Sequence, residues 1–222
     1  MKNNLCIKLE NLNKSFGKHV VLENINLNIQ RGLVVGIVGG NGSGKTTLLK
    51  LILGLSYPTS GYIEVNGREL KPGMLGNLPT NVGGLIENPG FVPGFSGLDN
   101  LLMLASIRNK ISKEDIVEWM KRLGLDPNNK KKVEKYSLGM KQKMGIIQAI
   151  MENPDIVLFD EPTNALDHKS VGIFNEIVKE KALDRTTFVV VSHKKEEIDN
   201  LCDIVYEIKE GKLELIQEKK VV

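Results

Sequence analysis

Gly39-Gly40-Asn41-Gly42-Ser43-Gly44-Lys45-Thr46, followed by Thr47, decides how this chain is read. The stretch fits the phosphate-loop pattern G-x-x-x-x-G-K-[ST]. Before it, Leu33-Val34-Val35-Gly36-Ile37-Val38 predicts a buried parallel strand. After it, Leu48, Leu49, Leu51, Ile52 and Leu55 recur at helical spacing until Gly54 and Pro58 end the run. Glycines at such a junction, having no Cβ, let successive backbone N–H groups curl around a β-phosphate. A helix opening near Gly44 turns the positive end of its dipole on the same anion. Lys45 is placed to reach the β- and γ-phosphates, and the Thr46 hydroxyl to ligate Mg²⁺. The stretch therefore predicts a nucleoside-triphosphate site.

The remainder of the composition narrows the class. A chain of 222 residues can bury one substantial core, and one domain over residues 1–222 is expected. Net charge is +3 with both signs mixed along the sequence, so no basic arm points to nucleic acid as a partner. The cluster Asn128-Asn129-Lys130-Lys131-Lys132 reads as a solvated turn between helices. The apolar runs around Ile37, Leu53 and Val190 fall short of the roughly 20 residues that span a bilayer. Met1-Lys2-Asn3-Asn4 leads into alternating Leu5, Ile7 and Leu9, a strand pattern where a signal peptide would carry an apolar core, so a cytoplasmic protein is expected. Cys6 and Cys202 stand alone, without metal-ligand spacing, and read as small buried residues.

Residues 5–67 are strand-rich: Ile25, Leu27 and Ile29 alternate, as do Ile63 and Val65, with Gly61 and Asn66-Gly67 marking turns. An antiparallel sheet beside the parallel one is expected. From about 90 to 152 the pattern becomes helical. Ser96-Gly97-Leu98-Asp99 and Ser112-Lys113-Glu114-Asp115 both match a capping box, and the second leads into Ile116, Val117, Met120 and Leu123 before Gly124. Parallel-strand runs resume at Ile156-Val157-Leu158-Phe159 and Phe188-Val189-Val190-Val191, with Val171, Phe174, Ile177 and Val178 on a helix between them. The expected fold is α/β, a phosphate-loop NTPase core with an antiparallel β subdomain over residues 1–89 and 153–222 and an inserted helical subdomain over 90–152.

A phosphate-loop site needs an acid at the end of a neighbouring strand to hold Mg²⁺, and Asp160 follows four apolar residues. Glu161 comes next, where a carboxylate could orient or deprotonate an attacking water. Here a resemblance becomes specific. Tyr136-Ser137-Leu138-Gly139-Met140-Lys141-Gln142-Lys143-Met144-Gly145-Ile146-Ile147-Gln148 resembles the signature segment of ABC-transporter ATPase domains, and the whole chain follows that family's order. Phe16 resembles the aromatic that stacks on adenine, although an aromatic near the N-terminus also serves in packing. Glu87 occupies the slot usually held by the Q-loop glutamine. Asn164-Ala165-Leu166-Asp167 resembles the D-loop, and Ser192-His193 the switch histidine.

The resemblance implies an ATPase that energises transport by separate transmembrane permease subunits, on the inner face of the cell membrane. It implies ATP and Mg²⁺ as cofactors and a head-to-tail dimer around two ATP molecules. ATP would be held by Phe16, Gly39, Gly40, Asn41, Gly42, Ser43, Gly44, Lys45, Thr46 and Thr47, with Ser137 and Gly139 presented to the nucleotide of the opposite chain. Mg²⁺ would fall to Thr46 and Asp160 with Glu87 nearby, and hydrolysis to Glu161, His193 and Lys45. Ser137 is also a good helix N-cap, with bare N–H groups behind it for an anion. Leu138 stands where glycine is common, and Met140-Lys141 replaces a Gly-Gln pair. With Glu87 in Leu85-Ile86-Glu87-Asn88-Pro89, these departures resemble bacterial export-type and antibiotic-peptide immunity ATPases. Segment 87–100, with Phe91 and Phe95, is a candidate permease contact; both rings tucked under their own loop is the alternative.

Overall fold

Alternation of apolar residues builds the first sheet. In the computed structural model, which describes residues 4–71 and 78–219, β1 (Leu5–Phe16) and β2 (His19–Gln30) form a long antiparallel hairpin. Ile25, Leu27 and Ile29 are buried in turn, as the period of two requires. The chain then enters a second sheet through β3 (Val34–Val38), passes through the phosphate loop into α1 (Lys45–Ile52), and returns to the first sheet with β4 (Ser60–Val65) and β5 (Arg68–Glu69). The first sheet has the order β2-β1-β4-β5.

Two local expectations change here. Gly61, expected at a turn, lies inside β4 with φ +94°, and a Cβ there would stand 2.4 Å from the Asn11 carbonyl oxygen. β1 bulges between Glu10 and Asn13 against this position, so the glycine admits a close backbone approach. Leu55 falls outside α1. The helix stops at Ile52 because Gly54 takes φ +70°, with Gly54 N–H donating to Leu51 and Leu55 N–H to Lys50, a Schellman closure that leaves Leu55 exposed.

β6 (Val82–Leu85) leads to α2 (Gly97–Arg108), α3 (Lys113–Arg122), a 3-10 turn over Val133–Lys135 and α4 (Leu138–Ile150). Both capping boxes form: Ser96 with Asp99, and Ser112 with Asp115, each with the backbone and side-chain bonds reciprocated. The chain continues as β7 (Ile156–Asp160), α5 (His168–Leu183), β8 (Thr187–Val191), α6 (Lys195–Leu201), β9 (Ile204–Lys209) and β10 (Lys212–Glu218). The second sheet has the order β10-β9-β3-β8-β7-β6, parallel throughout except for β10.

Every residue of β3, β7 and β8 is buried because both faces of this sheet are covered. Val157 and Phe159 of β7 face a core shared with α2–α5, where Phe159 meets Phe174 edge-on at 5.2 Å between ring centroids. Ile156 and Leu158 face the opposite core, with α1 and the first sheet. Cys6 and Cys202 are free thiols within these cores, as small apolar residues. Among the described residues no helix is long and apolar enough to cross a membrane; Met1–Asn3 lie outside them. Because β3, β6, β7 and β8 run parallel, the segments that follow them emerge at one edge: the phosphate loop, Glu87, Glu161 and His193.

Candidate functional site

The phosphate loop is held by its own lysine. Lys45 Nζ donates to the carbonyls of Gly39 and Gly40, 2.8 Å each. Gly44, at φ +106°, is the N-cap of α1; no side chain caps the helix and its first turn carries no acid. That end of α1 is open to an anion. Beside it, the Ser43 hydroxyl is buried without a hydrogen-bond partner among the described residues. A buried polar group in that state is costly unless a ligand completes it, and a phosphate oxygen is such an acceptor. Gly40, Asn41 and Gly42 are exposed on the loop, and Thr47 is half-buried one residue beyond Thr46.

Across the sheet edge, Thr46 Oγ1 donates to Asp160 Oδ2 at 2.6 Å. Burial raises the pKa of the Asp160 carboxyl; the Thr46 hydrogen bond and the Lys45 charge pull it down, and the charges of Glu161 and Glu87 push it up. A hydroxyl and a carboxylate, hard oxygen donors with surplus negative charge around them, suit a hard divalent cation. Glu161 follows β7 at φ +50°. Its Oε1 accepts from the backbone N–H of His193 at 3.0 Å and lies 2.8 Å from His193 Nδ1, while Oε2 accepts from Ser192 Oγ at 3.3 Å. The residues after β8 thus aim the acid that ends β7.

Glu87, at φ +57°, bonds Lys50 Nζ at 2.6 Å. It lines a cavity of about 250 Å³ together with Thr46, Leu138, Gln142, Asp160 and Glu161. Phe16, Ser137 and Gly139 are not among its lining residues. Phe16 ends β1 with 57% of its surface exposed, its ring 4.6 Å from Lys14 Nζ. Ser137 caps α4, its hydroxyl accepting from Met140 N–H at 3.2 Å. Gly139 carries a role that its sequence context did not reveal. A Cβ there would stand 2.7 Å from the Ala165 carbonyl, so the first turn of α4 packs tightly on the Asn164–Asp167 segment of its own chain. Asp167 in that segment caps α5 through Ser170 N–H. Phe91 packs against the core and Phe95 stays exposed, so the two rings do not both tuck under their own loop.

Gln142 and Lys50 make contacts to which the sequence carries no motif. Gln142 is buried on α4 and donates to the carbonyls of Glu161, 3.2 Å, and Pro162, 2.9 Å, joining the signature-like helix to the acidic strand end. A polar residue on the face that also buries Gly145 and Ile146 was the available signal. A larger groove, about 850 Å³, lies at the amino ends of β7 and β8 among Arg31, Asp155, Lys181 and Arg185. None of the groups just described lines it.

Comparison with known proteins gives the family and the fold. The family model described as ABC transporter matches residues 22–164. Over 208 residues the chain is 42% identical to the ABC transporter ATP-binding protein YybJ of Bacillus subtilis (strain 168), covering 94% of each protein. It is 36% identical to the bacitracin transport ATP-binding protein BcrA of Enterococcus faecalis, over 93% of this chain and 67% of that protein. Among solved structures, the dimeric post-hydrolysis state of the ATP-binding cassette MJ0796 bound to ADP and Pi superposes with a TM-score of 0.79 at 27% identity, over 95% of this chain and 99% of that one.

Proposed function

Because the chain belongs to the ABC transporter family as one of its ATP-binding subunits, an ATPase that energises a membrane transporter, we propose that it hydrolyses Mg·ATP at the edge where Thr46, Asp160, Glu161 and His193 meet, as a head-to-tail dimer docked on separate permease subunits. The observation that carries this reading is the convergence of an uncapped phosphate-loop helix with a His-aimed glutamate on one sheet edge.

In this reading Lys45 exchanges its two carbonyl partners for β- and γ-phosphate oxygens, and Ser43 gains the acceptor it lacks. Thr46 and Asp160 would hold Mg²⁺, with Glu87 on the same cavity wall; when bound, the ion would supply positive charge against the phosphate oxygens. Glu161 accepts a proton from the attacking water, and His193 and Ser192 keep its carboxylate in place. Phe16, exposed at the end of β1, offers its face to adenine. Ser137 and Gly139, outside the chain's own cavity, serve the nucleotide of the second subunit, a reading supported by the likeness to a dimeric cassette.

The chain itself reaches the membrane through its permease, and exposed Phe95 beside Val92 is a contact for it. Relatives described as bacitracin and lantibiotic transport ATP-binding proteins favour a peptide cargo, and the export-type departures at Glu87 and Met140-Lys141 favour outward movement. The test is reconstitution in liposomes with the membrane protein that copurifies from native membranes. ATP hydrolysis stimulated by that protein, and outward peptide movement lost with Lys45→Ala, is expected. Hydrolysis indifferent to every copurifying membrane protein would remove the transport role.

A further inference from the structure

We propose that Lys50 is a positioning residue of the nucleotide site, holding the Glu87 carboxylate in an ion pair on the cavity wall and so setting how much of its negative charge reaches the bound cation. The inference rests on the reading of Thr46 and Asp160 as the cation's ligands.

Lys50 lies four residues after Thr46 on α1, so the two side chains leave the same helix face one turn apart. The first turn offers Thr46 to Asp160 at 2.6 Å, and the last offers Lys50 to Glu87 at 2.6 Å. One helix face thus joins the carboxylates that end or follow β7 and β6. Glu87 shares the cavity with Thr46 and Asp160, and its charge is among those that push the Asp160 carboxyl up. A third carboxylate at this place, left free, would compete for the cation and repel the triphosphate; an ammonium in contact cancels much of both effects. Its hold is modest, since the Lys50 and Glu87 side chains are 37% and 62% exposed. An exposed pair is weak, so its removal should change cation binding by a small factor.

The backbone fits a residue kept in place by a partner. Glu87 sits in the left-handed region at φ +57°, a cost for a residue with a Cβ. Two residues on, Pro89 packs against α4 so closely that a Cβ on Gly145 would stand 3.1 Å from its ring. The Lys50 contact therefore ties α1 to the connection that leaves β6 for the helical segment.

The experiment is a Mg²⁺ titration of ATP binding at fixed ATP, made with the full chain, for Lys50→Met and Lys50→Arg in the parent and in a Glu87→Gln background. Freed of Lys50, Glu87 turns to the cation, so Lys50→Met should lower the half-saturating Mg²⁺ concentration by about two- to fivefold, the range of an exposed ion pair. Lys50→Arg should restore the parent curve, and in Glu87→Gln the Met substitution should have no further effect. No shift with Lys50→Met, or an equal shift in both backgrounds, overturns the inference. Asp160→Asn separates the two readings: loss of its Mg²⁺ dependence upholds the cation site whatever Lys50 does, and a parent-like curve removes that site and the inference with it.

Discussion

His193 and Glu161 grip each other just beyond the ends of adjacent strands: the imidazole Nδ1 stands 2.8 Å from Glu161 Oε1, and the His193 backbone N–H donates to the same oxygen at 3.0 Å. The strands aim the carboxylate, because β7 and β8 are neighbours in register and Glu161 N–H is fixed to the Val191 carbonyl at 2.9 Å.

Glu161→Gln keeps the shape and one acceptor oxygen but removes the proton acceptor. Turnover should fall by about 10²- to 10⁴-fold while Mg·ATP binding persists. Steady-state ATPase assays beside equilibrium binding measure both; parent turnover in a contaminant-free preparation would show that Glu161 is not the base.

Asp160 supplies a pH dependence. Its folded-state pKa is raised, chiefly by burial, so the native state holds this proton more tightly than the unfolded chain does. Stability of the nucleotide-free protein should then decline as pH rises from the unfolded value of about 4 through the raised folded value, and stay lowered above it. Asp160→Asn, which cannot ionise, should melt higher than the parent at pH 8, with the gap closing toward pH 4. With Mg·ATP present the order should reverse, since the variant loses the cation. Thermal melts across pH with and without Mg·ATP decide it; a pH-independent gap would mean that the Asp160 charge is not the cause.

Ser137 and Gly139 test the trans arrangement. Mixing a Lys45→Ala subunit with a Ser137→Arg subunit should form dimers in which one composite site carries both defects and the other neither, and partial ATPase activity should return. Two inactive variants that dimerise and never complement would place Ser137 outside the partner's site.

Ser112→Ala removes the capping box that opens α3, leaving the Asp115 N–H without its side-chain acceptor. It should cost about 1 kcal/mol in urea denaturation. ATPase activity under folding conditions should be unchanged, because Ser112 touches none of the site residues. A larger loss of activity than of stability would tie this helix to the chemistry.

The amino-acid sequence by itself determined the local elements and the reactive stretches. The phosphate loop, the strands around Ile37, Leu158 and Val190, and both serine caps are set by interactions within a few residues, so their periodicity and cap chemistry are readable directly. The same locality explains the misplacements: whether Gly61 bends a turn or admits Asn11 depends on a strand about fifty residues away in the chain, and whether Leu55 joins a helix face depends on the hand of Gly54. Only the tertiary structure decided which polar groups meet. Thr46 with Asp160, Lys50 with Glu87, Gln142 with Pro162 and Gly139 against Ala165 are pairings across separate elements, fixed by strand order and helix packing. The physical reason is that residue type specifies what a side chain can bond, whereas the partner it finds is set by sheet register and by the cores on either face, to which the whole chain contributes.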